Sequence, residues 1–307
     1  MKAAYFMAHG GPEVLQYGEV ADPVAGPGEV LVDIQAASVN AADWQVRQGS
    51  YTQVKSFPYI LGRDFSGVVA ALGEGVDDLK VGDSVFAVCA VGQEGAYAEK
   101  IAIKAAIVAK KPDALSHADA AAVALAGLTA VISLEETLKL QSGETILIQG
   151  GAGGVASFAV QLAKHIGARV ITTASAANHD FVRHLGADEI VDYNEIDFTK
   201  VVSGVDAVFD TVGGEVAMRS FEVLRPGGRA AFIASGATAP QAPRDDVQSL
   251  RPAVGRDRPH LLRILQLVGS GAVMVPQITR YPLSEAAAAH RVSEGRHLCG
   301  KLVFGVR

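Results

Sequence analysis

The sequence predicts an α/β protein in which a doubly wound parallel sheet is joined to a smaller β-rich domain. From about residue 118 to residue 270, short apolar runs alternate with segments of helical periodicity. This alternation is typical of a parallel sheet covered by helices on both faces. Residues 1–117 instead contain short β-like runs between Gly, Pro and Asp turns, which indicates a small barrel. The chain of 307 residues is long enough for two domains.

The elements are predicted from hydrophobic periodicity and from turn residues. In the first domain the predicted strands are residues 2–7, 30–37, 67–72, 84–88 and 97–103. Ser116 is placed to cap a helix, and Ala126–Thr129 leads into a second helical segment at 131–140. In the second domain the predicted strands are residues 145–148, 169–173, 189–191, 206–210 and 229–234, with Gly227 and Gly228 as the turn before the last one.

Helical segments are predicted between these strands, at residues 154–166, 178–185, 215–224 and 260–268. Residues 236–258 have no convincing periodicity, and they are expected to form a surface loop. The tail offers a strand (277–281), a helix (284–293) and a strand (301–305). Because this β character suits the first domain, residues 271–307 are expected to return to it.

Composition excludes several classes of protein. A net charge of −6 without a basic block argues against nucleic acid or an anionic membrane as a partner. Cys89 and Cys299, the two cysteines, imply neither a disulfide framework nor a cysteine-rich zinc lobe. Residues 1–11 lack the features of a signal peptide. The alanine-rich segment 118–134 contains Asp119 and Gly127 and is expected to be a buried helix. These features are typical of a cytoplasmic protein.

The most informative stretch is the glycine-rich turn between the predicted strand 145–148 and the predicted helix 154–166. Gly151, Gly153 and Ala156 fit the pattern Gly-x-Gly-x-x-Gly/Ala. A side chain at either glycine would block a pyrophosphate, and a small residue at 156 lets the helix pack closely on the strand. Free N–H groups at the positive helix end would bind the phosphates. The turn therefore predicts a dinucleotide site that includes Ala152, Gly154 and Val155.

Several motifs in their order along the chain resemble the medium-chain dehydrogenase/reductase superfamily, and most of all its zinc-free quinone oxidoreductase (ζ-crystallin-like) branch. They lie at residues 10–15, 39–44, 47–51, 58–69, 81–85, 127–130, 185–188, 208–213, 224–228 and 300–303, together with the glycine turn. The resemblance implies a GroES-like catalytic domain (1–117 and 271–307), a Rossmann NADP(H)-binding domain (118–270) and an active-site cleft between them. It also implies a homodimer formed by edge strands of the Rossmann sheets.

The residues at the zinc-ligand positions of that superfamily predict a protein without zinc. Asn40 stands where the cysteine ligand of zinc-dependent members would be, and Arg63 where the histidine would be. Arginine keeps its proton and has no lone pair for a metal. The loop 89–97 lacks the four cysteines of the structural zinc lobe, and the eight histidines are scattered. Arg63 and its neighbour Asp64 are expected to form a structural ion pair.

The cofactor is predicted to be NADPH rather than NADH. An NAD site carries an acidic residue at the end of the second strand, whereas this strand ends with Ser175 and no carboxylate. Relatives that use NADP often have a lysine where this chain has Asn178, so Arg183 or His179 would have to supply the positive charge. Alternatively, Ser175 and Asn178 merely cap the next helix. By resemblance, Tyr193 lies along the adenosine ribose, although a half-buried loop tyrosine is equally consistent.

The remaining site residues follow from their places in the motifs. Thr129 is predicted to touch the nicotinamide end, unless it is simply a helix-start threonine. Gly213 and Ser235 follow strands on the cofactor side of the sheet. Hydride from the nicotinamide would leave negative charge on the oxygen of a quinone or an α,β-unsaturated carbonyl, which needs a hydrogen-bond donor. The catalytic candidates are Asn40, Tyr51 and Asp43, although Asp43 also suits a turn or helix cap.

Three functions remain open on the sequence. The first is an NADPH-dependent quinone or enone reductase that acts on a small molecule. The second is an enoyl-thioester reductase of the same superfamily, for which basic residues in the predicted loop would hold an acyl carrier arm: Arg244, Arg251, Arg256 and Arg258. The third is a non-catalytic NADPH-binding sensor or crystallin-like protein.

Overall fold

The structure is a computed structural model that describes residues 1–90 and 92–307, and it divides into two compact units. The first unit comprises Met1–Leu125, Arg256–Leu262 and Pro276–Arg307. The second comprises Ala126–Gly255 and Arg263–Val275. The predicted loop 89–97 includes position 91, which lies outside the described residues.

The first unit is built mainly from antiparallel strands. They are β1 (Lys2–Phe6), β2 (Gln16–Glu19), β3 (Glu29–Ser38), β4 (Tyr59–Ile60), β5 (Asp64–Leu72), β6 (Ser84–Val88), β7 (Lys100–Lys104), β8 (Val108–Lys110), β15 (Ile278–Pro282) and β16 (Lys301–Gly305). One sheet has the order β15-β16-β3-β5-β6-β8, with β7 also paired to β3. In a second sheet β1 lies between β2 and β4.

Alternation explains why β3 is central to this unit. Val30, Val32 and Ile34 are fully buried, while the residues between them are half-buried, as expected for a strand with one face on the core. Helices α1 (Ala41–Gln48) and α7 (Ala286–Glu294) belong to the same unit. The short strands β2, β4 and β8 were not predicted, because two to four residues cannot display a period.

The second unit contains the predicted parallel sheet. Its strands are β9 (Thr145–Gln149), β10 (Arg169–Ala174), β11 (Glu189–Asp192), β12 (Val205–Asp210), β13 (Leu224–Phe232) and β14 (Gln248–Leu250). Their order is β11-β10-β9-β12-β13-β14, and every neighbouring pair is parallel. Helices α3 (Gly154–Ile166), α4 (His179–His184) and α5 (Gly214–Arg219) connect the strands. The α/β fold class with a doubly wound parallel sheet is thus confirmed.

The strand order reverses at β9, which has β10 on one side and β12 on the other. In open parallel sheets, ligands bind beyond the carboxyl ends of the strands at such a reversal. The glycine-rich turn follows β9, so the fold puts it at the position where a ligand is expected.

Several predicted boundaries are wrong. The predicted surface loop 236–258 contains β14, whose three residues pair with β13 and are too few to show a period. The helix α2 (His117–Val131) runs straight through Gly127. A side chain at Gly127 would lie 2.8 Å from Phe158, so the glycine is needed for close packing and does not form a turn. A π-helical turn, Ile132–Thr137, follows in place of a regular second helix. Gly227 and Gly228 lie inside β13 rather than before it.

Ser116 caps α2, because its hydroxyl accepts the N–H of Asp119 at 3.1 Å. Helix α6 (Arg258–Gly269) covers the predicted helix 260–268. The segment His117–Thr137 is long and apolar enough to cross a membrane by length and composition, but 78% of its most apolar window is buried inside the protein. This burial agrees with the prediction of a core helix.

Candidate functional site

The turn after β9 is hydrogen-bonded to the neighbouring strand, β10. Gly150 has a φ of 75°, in the left-handed region that favours glycine. Its N–H donates to the Thr173 hydroxyl at 2.9 Å, and the Gly151 N–H donates to the Thr173 carbonyl at 2.9 Å. The turn is therefore anchored on β10 before the helix begins. Helix α3 runs from Gly154 to Ile166, and Gly167, with a φ of 95°, is its C-cap, as predicted.

Small residues are required in this turn for steric reasons. A Cβ at Gly151 would lie 2.2 Å from the Thr172 hydroxyl, and one at Gly153 would lie 3.3 Å from the Gly150 carbonyl. Ala156 is completely buried. The first N–H groups of α3, including those of Gly154 and Val155, have no carbonyl partner within the helix. The turn therefore packs closely against β10 and leaves polarised N–H groups at the start of α3, an arrangement that can bind an anion.

Strand register brings the other predicted cofactor residues to the same sheet edge. Ala174 pairs with Asp192, so Ser175 and Tyr193 follow neighbouring strands at the same height. Asp210 pairs with Gln149 on one side and with Phe232 on the other. The turn after β9, Gly213 and Ser235 therefore also lie just beyond the carboxyl ends of adjacent strands.

Gly213 is fixed by a buried carboxylate. Its N–H donates to Asp210 at 3.0 Å, and its φ of 80° suits glycine alone. A Cβ at this position would lie 2.6 Å from the Ala234 carbonyl. Burial raises the pKa of Asp210, while the N–H groups of Val212 and Gly213 act in the opposite direction. The Ser235 hydroxyl donates to the Thr238 carbonyl at 2.9 Å, within its own loop.

Ser175 and Asn178 occupy the N-cap positions of the 3₁₀ turn Ala176–Asn178 and of α4, but neither side chain makes a capping hydrogen bond. The Asn178 amide donates to the Ser175 hydroxyl at 3.2 Å. His179 Nε2 lies 3.3 Å from the Ala174 carbonyl, and Arg183 donates to Asp180 at 2.7 Å. Both candidate cations thus have partners on their own segment.

The structure gives less support for a place at this sheet edge to two predicted cofactor residues, Tyr193 and Thr129. Tyr193 is 46% exposed, directly after β11. Thr129 is buried within α2, so it is not a helix-start residue, and strand register does not bring it to the carboxyl edge. The cofactor candidates all belong to the second unit, whereas Asn40, Asp43 and Tyr51 belong to the first.

In the first unit, the Asn40 side chain is held by two buried charges. Its amide oxygen accepts from the Lys301 ammonium at 2.7 Å, and its amide nitrogen donates to Asp64 at 2.8 Å. Asp64 also accepts from the Ser38 hydroxyl at 2.8 Å and from the Leu125 N–H at 3.1 Å. The amide orientation of Asn40 is therefore fixed from both ends.

Burial perturbs both charges of this network. The pKa of Asp64 is raised by burial, against the effect of Lys301, Ser38 and Asn40. The pKa of Lys301 is lowered by burial, against the effect of Asp64 and Asp43. Asn40 bonds to both groups, and each charge partly offsets the desolvation of the other, so loss of either charge leaves the other buried with less compensation.

Asp43 connects α1 to a second group of buried charges. Its carboxylate accepts the Asn40 N–H at 2.9 Å, which is a helix-capping bond, and the Tyr97 hydroxyl at 2.8 Å. Arg63 Nε lies 3.4 Å from Asp43 Oδ1. Burial raises the pKa of Asp43 to about 6, although Arg63 and these hydrogen bonds lower it.

The predicted ion pair between Arg63 and Asp64 is wrong. Successive residues at a strand start point to opposite sides, so Asp64 meets Ser38 and Asn40 while Arg63 meets Asp43. Arg63 Nη2 also lies 3.8 Å from Glu94. Its guanidinium carbon lies 4.9 Å from the centroid of the Tyr51 ring. Asn40, Asp43, Arg63 and Tyr51 are therefore linked in one continuous network.

The sequence did not place four residues in this network, which are Tyr97, Glu94, Lys301 and Arg256. Arg256 was considered only for a carrier arm, but it lies 3.9 Å from Glu94. Glu94 accepts from the Tyr59 hydroxyl at 3.2 Å, and Arg256 donates to the Cys89 carbonyl. Two sequence signals existed. Lys301 lies in the motif at 300–303, within a strand that reads as buried. Gly62 lies in the motif at 58–69, and the structure explains it, because its φ is 99° and a Cβ there would lie 2.4 Å from the Tyr97 ring.

Known families match both parts of the chain. Residues 26–113 match the alcohol dehydrogenase GroES-like domain, and residues 185–304 match the family described as zinc-binding dehydrogenase. The quinone oxidoreductase of Pseudomonas aeruginosa is 33% identical over 99% of this chain and 99% of its own. The NADPH-dependent alkenal/one oxidoreductase of Arabidopsis thaliana is 32% identical over 99% of this chain and 79% of its own. The mycocerosic acid synthase-like polyketide synthase of Mycobacterium tuberculosis is 32% identical over 92% of this chain, which spans 14% of that relative's length.

Solved structures are similar to this chain over its whole length. The quinone oxidoreductase of Coxiella burnetii superposes with a TM-score of 0.92 at 34% identity, over 100% of this chain and 99% of its own. The Escherichia coli quinone oxidoreductase complexed with NADPH gives 0.91 at 29% identity over 100% of both chains. The CurK enoyl reductase gives 0.89 at 25% identity over 100% of this chain and 99% of its own. With the parallel sheet and its glycine turn, these matches show that the chain belongs to the medium-chain dehydrogenase/reductase superfamily, in its quinone oxidoreductase-like branch.

Proposed function

We propose that the protein is an NADPH-dependent, zinc-independent reductase of quinones or α,β-unsaturated carbonyls. One observation carries the proposal: the strand Thr145–Gln149 leads through a glycine turn into the helix Gly154–Ile166, and Gly151 packs so closely on β10 that a Cβ there would lie 2.2 Å from the Thr172 hydroxyl. Such a strand–turn–helix, with free N–H groups at the start of the helix, suits the pyrophosphate of a dinucleotide. Relatives that use NADPH on alkenals and on quinones support the choice of reaction.

The residues at the zinc-ligand positions do not fit a metal. The Asn40 oxygen is already bound by an ammonium group at 2.7 Å, and a second cation beside Lys301 would be repelled. Arg63 offers no lone pair. Among residues 1–90 and 92–307, no group of three or more His, Cys, Asp or Glu side chains is arranged to hold a metal ion. No step of the proposed reaction therefore passes through zinc.

The choice of NADPH over NADH rests on the end of β10. No carboxylate follows Ala174 to repel a 2′-phosphate, and the Ser175 hydroxyl and the Asn178 amide form one hydrogen-bonded pair there. We assign this pair to the 2′-phosphate and Tyr193 to the adenosine ribose. The glycine turn, with Ala152, Gly154 and Val155, is assigned to the pyrophosphate, and Thr129, Gly213 and Ser235 to the remainder of the cofactor.

For catalysis, the bound cofactor supplies hydride, and the protein supplies position and a hydrogen-bond donor. We assign the donor role to Tyr51, which is 49% exposed and so can meet a ligand. Asn40, fixed by Lys301 and Asp64, orients the reacting groups. Asp43 is completely buried, so its role is to hold Tyr97, Arg63 and the start of α1 in place.

The same proposal includes the wider organisation of the protein. We take residues 1–117 and 271–307 as the catalytic domain and residues 118–270 as the cofactor domain. We place the enzyme in the cytoplasm as a homodimer, with no nucleic acid or membrane partner. A charge of −6 without a basic block supports the absence of nucleic acid and membrane partners.

An enoyl-thioester reductase is the alternative, and the likeness to the CurK enoyl reductase favours keeping it. The arginines that would bind a carrier arm have other bonds, however. Arg244 donates to Asp246 and the Leu224 carbonyl, Arg251 to the Phe232 carbonyl, Arg256 to the Cys89 carbonyl, and Arg258 to Asp78 and the Ala105 carbonyl. We therefore favour the small-molecule reductase.

Steady-state oxidation of NADPH with 1,4-benzoquinone, methyl vinyl ketone or crotonyl-CoA tests the proposal. Turnover is expected with the first two, and it should survive a zinc chelator. The kcat/KM for NADPH should exceed that for NADH at least about tenfold, since a hydrogen bond to a charged group is worth about 1.5–3 kcal/mol. Turnover of crotonyl-CoA alone would favour the alternative. Loss of activity on removal of stoichiometric zinc would overturn the proposal.

A further inference from the structure

Arg63 and Tyr51 form a cation–π pair at the edge of the buried charge network in the first unit. The guanidinium carbon lies 4.9 Å from the ring centroid. The Arg63 side chain is only 5% exposed, whereas Tyr51 is 49% exposed. A guanidinium is attracted to the face of an aromatic ring and packs well on it. A fixed buried cation therefore supports a phenol that still reaches solvent.

Arg63 is much more tightly held than Tyr51. Two carboxylates face its guanidinium, Asp43 at 3.4 Å and Glu94 at 3.8 Å. Tyr51 follows the end of α1 in a segment without regular secondary structure, and its N–H donates to the Gln45 carbonyl at 3.2 Å. The Tyr51 backbone is thus bonded to the end of α1, while the Tyr51 ring contacts the guanidinium of the buried Arg63. The arginine therefore restricts the positions that the phenol can take.

We propose that Arg63 is a positioning residue that holds the Tyr51 phenol for donation to the oxygen of the conjugated acceptor. The inference rests on the proposed reduction of such acceptors. Hydride adds to the β-carbon of the acceptor, and the C=C electron pair moves to make the carbonyl an enolate. The Tyr51 O–H donates to that oxygen, and a proton from water then completes the saturated carbonyl. Restricting the phenol in advance removes an entropic cost from this step.

Charge alone does not explain this role. The guanidinium carbon lies over the Tyr51 ring. A guanidinium is planar, whereas the ammonium of lysine keeps the charge but has no flat face to pack on the phenol. Arg63→Lys therefore preserves compensation of Asp43 and Glu94 while it removes the support of Tyr51. Tyr51→Phe does the reverse, since it keeps the stacked ring and removes the donor.

The test compares Arg63→Lys, Tyr51→Phe and the double variant with methyl vinyl ketone and 1,4-benzoquinone. Tyr51→Phe should lower kcat for the enone about a hundredfold, as loss of one hydrogen-bond donor to a developing oxyanion does. Arg63→Lys should lower it about tenfold, with KM and NADPH affinity changed less than about threefold, since it disturbs a transition-state contact alone. In the Tyr51→Phe background, Arg63→Lys should add less than about twofold, because coupled residues are not additive.

The two acceptors separate positioning from general damage. Reduction of a quinone gives an aromatic phenolate, which is more stable than a simple enolate and depends less on a donor. Arg63→Lys should therefore affect the quinone less than the enone. Arg47→Lys is the matched control, because Arg47 is also buried and paired with a carboxylate, Glu294, and it should leave kcat unchanged. Equal losses for both acceptors, or additive effects in the double variant, would overturn the inference. Absence of turnover by the unmodified protein would instead overturn the proposed function.

Discussion

The glycine turn of the second unit and the charge network of the first are built in opposite ways. The turn consists of backbone, and its requirement is that side chains be absent, as at Gly151. The network consists of buried side chains from distant segments, such as Lys301 with Asn40 and Tyr97 with Asp43. A backbone site is encoded locally, whereas the network exists only after the whole unit has folded.

The two constructions also fail differently. Removing one buried charge leaves its partner desolvated and unpaired, which destabilises the whole unit. Adding a methyl group to a glycine turn disturbs a few contacts and a ligand surface. Stability measurements should therefore be most sensitive to changes in the network, and ligand binding to changes in the turn.

The largest effect is expected for Lys301→Met, which leaves Asp64 buried without its cation. Breaking one partner of a buried pair lowers the free energy of unfolding by about 3–5 kcal/mol. Denaturant unfolding at pH 7 measures this loss. NADPH affinity should change less than about threefold in conditions where the variant is folded, because the glycine turn belongs to the second unit.

Lys110→Met is the control for this change. Lys110 pairs with Asp83 at 2.9 Å, but its side chain is 55% exposed. Surface pairs contribute about 0–1 kcal/mol, so this variant should be nearly as stable as the wild type. Similar losses of unfolding free energy for Lys301→Met and Lys110→Met would show that burial does not increase the contribution of a charged group to stability.

The next effect concerns pH and Asp43. Its carboxyl has a folded pKa of about 6, above the usual 3.8, so the folded state binds the proton more tightly than the unfolded state. Its contribution to stability is therefore fully present below pH 4 and is lost as the pH rises through 6. For Asp43→Asn this contribution is absent. Between pH 4 and pH 7, the stability of the wild type should fall relative to the variant by about 3 kcal/mol.

Denaturant unfolding at several pH values measures that difference. Asp180→Asn is the control, because the Asp180 side chain is fully exposed. Its replacement should leave the pH profile of the wild type unchanged. A constant difference between the wild type and Asp43→Asn would show that the carboxyl is not perturbed in the folded protein.

The same contrast explains what the sequence could predict. The strand, turn and helix from 145 to 166 were predicted because their signals, apolar run and glycine spacing, are local. The partner of Arg63 was predicted wrongly, because adjacency in sequence favoured Asp64 while the pleat of β5 turns the two side chains apart. No local pattern could pair Asn40 with Lys301 across 261 positions. Strand β14 was missed because three residues show no period.

The smallest effect is expected for Gly151→Ala. Its Cβ would lie 2.2 Å from the Thr172 hydroxyl, which itself donates to the Ile148 carbonyl at 2.6 Å and has little room to move. Forced insertion of one methyl group next to Thr172 displaces the turn from β10. The N–H groups that bind the pyrophosphate then move, and since each hydrogen bond to a charged group is worth about 1.5–3 kcal/mol, the dissociation constant of NADPH should rise about tenfold to a hundredfold. Quenching of protein fluorescence by NADPH measures the affinity. Gly269→Ala is the matched control, since a Cβ at Gly269 meets no atom within 4 Å, and its affinity should equal that of the wild type. Equal affinities for Gly151→Ala and Gly269→Ala would mean that the pyrophosphate does not bind at this turn.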